Sequence, residues 1–373
     1  MKFKRYLLWI FLLMSIAASA QLKVVKSATL SLPAGYVVGA AIGEDGKTVA
    51  VQQIDEFGEI TGLHRHRSRQ LSLWSVGTHS MLESKDFGEI SSAPDGVCGR
   101  VHMLSHSPQI LICSSFSYID VLDGSNLKAV GTLAFGPQQQ IYDFAVDETR
   151  EKLVVVSLNQ DQAVHITVYS LRTGAQQRSE TLPGDDLSTM NVALDPVNGT
   201  FAINIVRRKR SGESSDIRVC HTDGSSACSK LSGHTDISEA GFLGNQLLLV
   251  PTDTESKKSC VLGTVSSGDA VSPQYCFPTS GVHVALGVVM QQFVVAYTGL
   301  SHYSALREES TTISNSYSVW EAEHRLPDAT IEGPPAVDAS QRFGRIVTSS
   351  SVPMFLIYQV HSRELILYSI TAM

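Results

Sequence analysis

Charge is scarce in this chain, and so are the features that build helical proteins, metal centres and common enzymes. Only 17% of the 373 residues are charged and 7% are aromatic, against 43% hydrophobic. That is a globular composition with ample core, and it excludes a disordered chain. Long segments of helical period are missing. After the first twenty residues no run is apolar enough to span a bilayer, which takes roughly 20 residues. There are six cysteines, with no C-x-x-C pair and no Cys/His cluster at ligand spacing, so no zinc site is expected. The sequence has no H-E-x-x-H, no G-x-S-x-G and no phosphate-binding glycine loop. No cofactor and no metal are expected, and no catalytic residue can be assigned.

What is present begins with "MKFKRYLLWIFLLMSIAASA", residues 1–20. Lys2, Lys4 and Arg5 precede a short apolar stretch that ends in Ala18-Ser19-Ala20. This order is read by signal peptidase, so residues 1–20 are expected to be a signal peptide cleaved before Gln21, with an uncleaved anchor as the alternative, and residues 21–373 to form one exported domain. A secreted or periplasmic protein follows, with no integral membrane segment once the leader is gone. Of the 29 basic residues three leave with the leader, against 36 acidic residues that stay, which takes the formal charge from −7 to −10. No nucleic-acid partner is expected for a mature protein this acidic.

The mature chain repeats. Seven times a short apolar strand, a turn and a stronger apolar strand recur, as in "VVGAAIGEDGKTVAVQQ" (37–53), "IYDFAVDETREKLVVVSL" (141–158) and "MNVALDPVNGTFAINIV" (190–206). Asp45-Gly46 and Asn198-Gly199 are hairpin turn signals. The spacing is about 51 residues per unit, the size of a propeller blade. A third alternating strand follows each hairpin, as in "LSLWSV" (71–76), "ITVYSL" (166–171), "SYSVWEA" (316–322) and "LILYSI" (365–370). Trp74, Tyr169, Trp320 and Tyr368 occupy equivalent places there, as blade-packing residues. A polar turn and an outer strand complete each unit. The fold class is therefore all-β: a seven-bladed β-propeller of four-stranded antiparallel blades. The last unit runs out of chain after its third strand, and "LKVVKSATLSL" (22–32) has no partner of its own. Pairing the two closes the ring and removes an open edge.

"KLSGHTDISEAGFL" (230–243) resembles the Gly-His start of a WD40 blade, and "LSLWSVGT" (71–78) resembles a WD40 third strand with Ser in place of Asp. The wider pattern is similar to the WD40-like and YVTN-type propellers of secreted bacterial proteins. The resemblance covers the mature chain by periodicity and one or two blades by motif. It implies a structural role for His234, which would tie adjoining strands together.

An even number of cysteines in an exported chain points to disulfides. Fifteen pairings are open; register within the proposed blades favours Cys98 with Cys113, Cys220 with Cys228, and Cys260 with Cys276. Each would contribute roughly 3 kcal/mol in the chain-entropy model.

The longest segments expected as loops between second and third strands are 54–69, 207–216, 251–258 and 299–315. They carry "HRHRSR", "RRKRSG" and "ESKKS". This puts Arg65, Arg67, Arg69, Arg207, Arg208, Lys209, Arg210, Lys257 and Lys258 on one face, as candidate contacts for an anionic partner such as an acidic protein or an acidic glycan. The competing reading is a set of solvated loop tips, since Asp55, Glu56, Glu59, Glu213, Asp216, Asp253 and Glu255 lie in the same segments. His64 and His66 read as loop residues, and Asn198-Gly199-Thr200 as a tight turn that also fits a glycosylation pattern.

Two function classes remain. One is an exported, noncatalytic, monomeric module that binds a protein or glycan through the long-loop face. The other is a propeller enzyme of lactonase-like hydrolase type, whose site would be assembled in the central channel from separate blades. Charged residues clustered with carboxylates in the channel favour the enzyme; a channel of small and apolar groups favours the module.

Overall fold

The computed structural model describes residues 22–33, 35–61, 64–90, 98–115, 117–136, 139–209, 212–224, 227–231, 237–251, 260–264, 271–277, 282–299, 315–333, 344–359 and 363–372. The leader, Arg210, His234, Lys257 and Lys258 lie outside them, as do the spans 252–259 and 300–314. Among the described residues every regular element is a β-strand, and no helix is long and apolar enough to cross a membrane.

The chain opens with β1 (Leu22–Ser31). Blade 1 holds β2 (Tyr36–Ile42), β3 (Thr48–Thr61), β4 (His64–Ser75) and β5 (Ser80–Ile90). Blade 2 holds β6 (Val101–Met103), β7 (Gln109–Ser115), β8 (Tyr118–Asp123) and β9 (Ala129–Ala134). Blade 3 holds β10 (Gln139–Asp147), β11 (Lys152–Asn159), β12 (Ala163–Ser170) and β13 (Gln176–Pro183). Blade 4 holds β14 (Leu187–Asp195), β15 (Thr200–Lys209), β16 (Gly212–His221) and β17 (Ser229–Leu231). Blade 5 holds β18 (Ile237–Leu243), β19 (Gln246–Pro251), β20 (Cys260–Thr264) and β21 (Val271–Cys276). Blade 6 holds β22 (Val282–Val289), β23 (Phe293–Gly299), β24 (Asn315–Glu321) and β25 (Ala329–Glu332). Blade 7 supplies β26 (Gly344–Thr348), β27 (Met354–Gln359) and β28 (Glu364–Ala372), and takes β1 as its outer strand, in the order β26-β27-β28-β1.

The structure is a seven-bladed β-propeller. At six of the seven junctions the first strands of neighbouring blades touch, which places them around the central axis. The apolar alternation of each strand explains why: both faces of a blade are hydrophobic and both must be covered. There are seven buried hydrophobic clusters, and each straddles a different pair of neighbouring blades. Trp74, Tyr169, Trp320 and Tyr368 each pack toward the preceding blade. Trp320, for example, meets Phe277 edge-to-face with ring centroids 5.4 Å apart.

Turns follow the local sequence. Gly199 adopts φ 65°, which an L side chain resists, and Asn198 donates from Nδ2 to Asp195 Oδ2 at 2.7 Å inside the same turn. Near the axis the backbones of blades 1 and 2 nearly touch. A Cβ placed on Gly39 would lie 1.4 Å from Gly99 O, and one on Gly99 would lie 2.0 Å from Val38 O. Only glycine permits that approach.

Three disulfides join Cys98 to Cys113, Cys220 to Cys228 and Cys260 to Cys276. The last two tie a third strand to its outer neighbour, and Cys260 lies directly opposite Cys276 in the ladder. The first ties the approach to the inner strand β6 to β7.

Two expectations from the sequence are corrected. Residues 54–69 and 207–216 are not loops: β3 and β4 remain paired out to Thr61 and His64, and β15 and β16 out to Lys209 and Gly212. In backbone register Glu56 lies opposite Arg67 and Arg208 opposite Glu213. Arg69 is fully buried, not displayed on a face. On β4 it shares the period-2 face of Leu71 and Leu73, which packs on blade 2, and its Nη1 donates to the Cys113 carbonyl. Burial lowers its pKa to about 10.

Closure rests on β1. Nine of its residues pair with β28, from Leu22 opposite Ala372 to Ser31 opposite Glu364. Its Leu22 enters the cluster between blades 6 and 7, and Ala28 and Leu30 enter the one between blades 7 and 1. Leu30 is fully buried. We expect Leu30→Ala to cost about 2–5 kcal/mol by denaturant unfolding, and deletion of residues 22–32 to abolish the single cooperative transition. An unchanged midpoint in both variants would mean that β1 is appended to the ring and not part of its closure.

Candidate functional site in the central channel

The seven inner strands each bring one residue to a common level. Register sets it: Gly39 lies opposite Gln52, Asp143 opposite Val156, Asn191 opposite Asn204, Glu239 opposite Val250, Ala285 opposite Tyr297 and Arg345 opposite Tyr358. Arg100 reaches the same level in blade 2, one residue before Val101, which lies opposite Ile112. β-Bulges fall immediately before Gly39, Asp143, Glu239 and Ala285. A bulge bends its strand and re-aims the following side chain, here toward the axis. Blade by blade the level reads Gly, Arg, Asp, Asn, Glu, Ala, Arg. Inner strands otherwise rich in apolar residues therefore present two cations and two carboxylates to one small space.

One side of the channel is locked. Arg100 donates from Nε to Asp143 Oδ1 at 2.9 Å and from Nη2 to Asp143 Oδ2 at 2.8 Å, a bidentate fork. The same Nη2 donates to Val192 O at 2.9 Å, and Val192 N donates to Asp143 Oδ2 at 2.8 Å. Blades 2, 3 and 4 are thus fastened by one charged pair and one peptide. The Asp143 carboxylate raises the Arg100 pKa, outweighing the opposing effect of burial.

The other side is loose. Arg345 Nη1 approaches Glu239 Oε2 at 3.7 Å, spanning from blade 7 to blade 5 past blade 6. The Arg345 side chain is 50% accessible and that of Glu239 20%. Desolvation nevertheless raises the Glu239 carboxyl to about 7, against the pull of Arg345 and Arg100. The two facts agree if the accessible surface opens on the confined channel and not on bulk water. Tyr358, beneath this pair, is buried, and its hydroxyl pKa is raised by that burial while both arginines oppose the rise.

A second polar group ties blades 2 and 3 near their β6–β7 and β10–β11 turns. Glu148 accepts from Ser105 Oγ at 2.7 Å and Ser105 N at 2.8 Å, and its Oε1 lies 3.0 Å from His102 Nε2. Burial raises the Glu148 pKa, but these hydrogen bonds outweigh it and hold the carboxyl at about 2. The carboxylate sits between Ser and His, so the serine is not activated by the imidazole as a nucleophile requires. This is a staple between blades.

Among the described residues, none of the basic residues singled out by sequence belongs to the channel level; Arg210, Lys257 and Lys258 lie outside those residues. Arg207 is engaged in the framework, donating from Nη1 to Asp185 O at 2.8 Å and from Nη2 to Pro183 O at 2.5 Å. Arg65 and Arg67 lie on β4 close to its hairpin tip, and Arg208 and Lys209 close to the tip of β15–β16. Among the described residues no group of three or more His, Cys, Asp or Glu is placed to hold a metal ion.

No family model matches the sequence, and no curated protein does. Solved structures do. The crystal structure of Chaetomium thermophilum Raptor superposes with a TM-score of 0.61 at 10% identity, over 95% of this chain and 29% of that one. The Cps50 (Swd1) β-propeller domain of Myceliophteria thermophila superposes with a TM-score of 0.57 at 11% identity, over 94% of this chain and all of that one. This chain therefore spans less than a third of the Raptor chain. At such identities the likeness establishes the fold alone, a seven-bladed β-propeller.

The locked and loose halves should respond differently to substitution. Asp143→Ala leaves Arg100 and the Val192 amide without their acceptor and is expected to cost roughly 3 kcal/mol, the low end for a broken buried pair because Arg100 keeps some solvent contact. Arg345→Ala is expected to cost under about 1 kcal/mol. Equal losses in chemical denaturation would contradict the asymmetry. For Glu239 the folded pKa is raised, so its favourable contribution is complete below the ordinary carboxyl range and is lost as pH rises through about 7. Wild type should therefore lose stability relative to Glu239→Gln across that interval; a flat difference would show that Glu239 titrates normally.

Proposed function

We propose that this chain is an exported binding module that holds a protein or glycan partner of acidic character on the face where the β3–β4 and β15–β16 hairpins rise. The observation that carries this reading is the pair of strand-built arms on blades 1 and 4, well apart on the ring, with Arg65 and Arg67 near the tip of one and Arg208 and Lys209 near the tip of the other. Ladder-paired arms lose less conformational freedom on binding than open loops do, so more of the contact energy appears as affinity. Export is supported by the leader sequence and by three disulfides, which persist in oxidising compartments. A monomer is proposed with it.

A second reading, the lactonase-like propeller hydrolase, is favoured by one observation: carboxylates and arginines from blades 2, 3, 5 and 7 converge at one level of the channel. The first reading is preferred because Asp143 is consumed by its bidentate bond to Arg100 and by the Val192 amide, which leaves Glu239, among the described residues, as the one carboxylate of that level with freedom to act.

The framework role of Arg207 determines the variant to use: Arg208, Lys209 and Arg210 changed to Ser, with Arg207 retained. On an array of acidic and neutral glycans and acidic proteins, wild type should bind in a salt-sensitive manner and the variant should lose most of that binding. The exported chain should have the intact mass of a protein beginning at Gln21. Binding that survives the triple change would remove the hairpin face from consideration, a retained leader would remove export, and hydrolysis of an arrayed glycan or a lactone would move the function to the second reading.

A further inference from the structure

Blade 2 is joined to its two neighbours in unlike ways. The inner strands of the other six blades each supply apolar side chains to the clusters on both of their sides. β10, for example, gives Phe144 to the cluster with blade 2 and Ala145 to the cluster with blade 4. β6 gives Val101 and Met103 to the cluster with blade 1 and, among the described residues, nothing to the cluster with blade 3. The alternate positions, which a strand turns to its other side, are Arg100, His102 and Leu104. Of these only Leu104, just beyond the end of β6, packs toward blade 3. Backbone contact follows the same bias: Gly39 and Gly99 bring the approach to β6 against blade 1, whereas β6 and β10 form the one inner junction of the ring at which the strands hardly meet.

Polar side chains bridge that junction in place of strand contact. At the channel level Arg100 forks onto Asp143, and nearer the turns Ser105 donates its hydroxyl and its amide to Glu148, beside His102. The division is complete: blade 2 brings the donors and blade 3 both carboxylates. We propose that β6 is an acid-released latch, at which the inner strand of blade 2 lets go of blade 3 by losing the Arg100–Asp143 and Ser105–Glu148 bonds together, while its seat on blade 1 stays packed. The second and third strands of blade 2 hold the rest of the seam, since Leu111, Cys113 and Ile119 share a buried cluster with Phe144, Leu153 and Val155. Opening therefore stays local, and by parting Arg100 from Asp143 it changes the charge presented at the channel level.

The direction of the pH response follows from the groups at the seam. Facing Glu148 are His102 from β6 and Ser105 from the turn after it. Burial raises the Glu148 carboxyl, but the bonds from His102 and Ser105 together hold it at about 2, below the ordinary carboxyl range. Its contribution is therefore complete above that range and is lost as pH falls toward about 2. Asp143 faces Arg100, the Val192 and Phe144 amides and, across the channel, Glu239. Apolar contact at the other six junctions carries no such dependence, so acid acts on this seam first. The latch is separate from the hairpin face, and the two can fail independently.

The experiment is hydrogen exchange of the mature protein followed by NMR at two protons of the seam: the Ser105 amide, which donates to Glu148, and Arg100 Nε–H, which donates to Asp143. Amides of β11 and β15 serve as the reference, and each rate is taken relative to that of the unstructured group at the same pH. In wild type both seam protons should lose protection together as pH falls from the ordinary carboxyl range toward 2, while the reference amides keep theirs. Glu148→Gln, which alters one bridge, should lower protection at Arg100 Nε–H about tenfold at neutral pH, the scale of a charge-assisted hydrogen bond. Asp143→Asn should do the same at the Ser105 amide, and protected β11 and β15 amides show that each variant is folded. Should either variant fail to fold, the wild-type pH series still decides. Arg100 Nε–H left unchanged by Glu148→Gln would mean that the two bridges act independently, and overturns the latch. So does seam protection that is indifferent to acid, or that is lost only together with the reference amides.

Discussion

Every blade of this protein is a sheet with two apolar faces, and closure of the ring is the constraint on which the rest depends. The seven hydrophobic clusters lie between blades and not within them. A single four-stranded unit would leave both faces in water, at about 25 cal/mol for each Å² of apolar surface exposed. An open row of blades would still leave two faces bare. The pairing of β1 with β28 turns that row into a ring in which each face has a partner, and Leu22, Ala28 and Leu30 put the closing strand into the two clusters that flank blade 7.

Closure also makes the channel. Bringing seven inner strands to one axis forces backbones together at Gly39 and Gly99, and it confines the charged side chains of blades 2, 3, 5 and 7 to a common level. Within that confinement the two ion pairs differ. Arg100 and Asp143 satisfy each other and fasten three blades, as a buried pair must if it is not to destabilise the fold. Arg345 and Glu239 satisfy each other poorly. A framework carries well-satisfied polar networks; loosely held ones are where a ligand or a proton can enter. The raised Glu239 pKa and the half-exposed Arg345 are two consequences of the same placement.

Much of the fold was legible in the sequence because its causes are local or periodic. Asn198-Gly199 marks its own turn, the period-2 alternation marks each strand, and the missing fourth strand at the C-terminus matches the surplus strand at the N-terminus. The pairs Cys220–Cys228 and Cys260–Cys276 followed from counting register about a turn. The charged segments 54–69 and 207–216 misled because composition alone reads a charged run as loop, whereas the ladder keeps β3 paired with β4 and β15 with β16 along them. Arg69 was misplaced with them, although its period-2 relation to Leu71 and Leu73 carried the signal. The channel level was not visible, since Arg100, Asp143, Glu239 and Arg345 are far apart in the chain. Aligning the seven inner strands by their turns exposes it as one column, in which charge replaces the apolar residues that surround it.

Closure of the ring governs the structure, and native-state hydrogen exchange of the mature protein measures it directly. If β1 is an integral strand, the amides of Val24 to Leu30 and those of Leu365 to Ile370 should share the free energy of exchange of the core strands β11 and β15, because they open only when the ring does. If β1 amides exchange through a separate, low-energy opening while β11 and β15 remain protected, the ring is held by its blades alone and closure does not govern the structure.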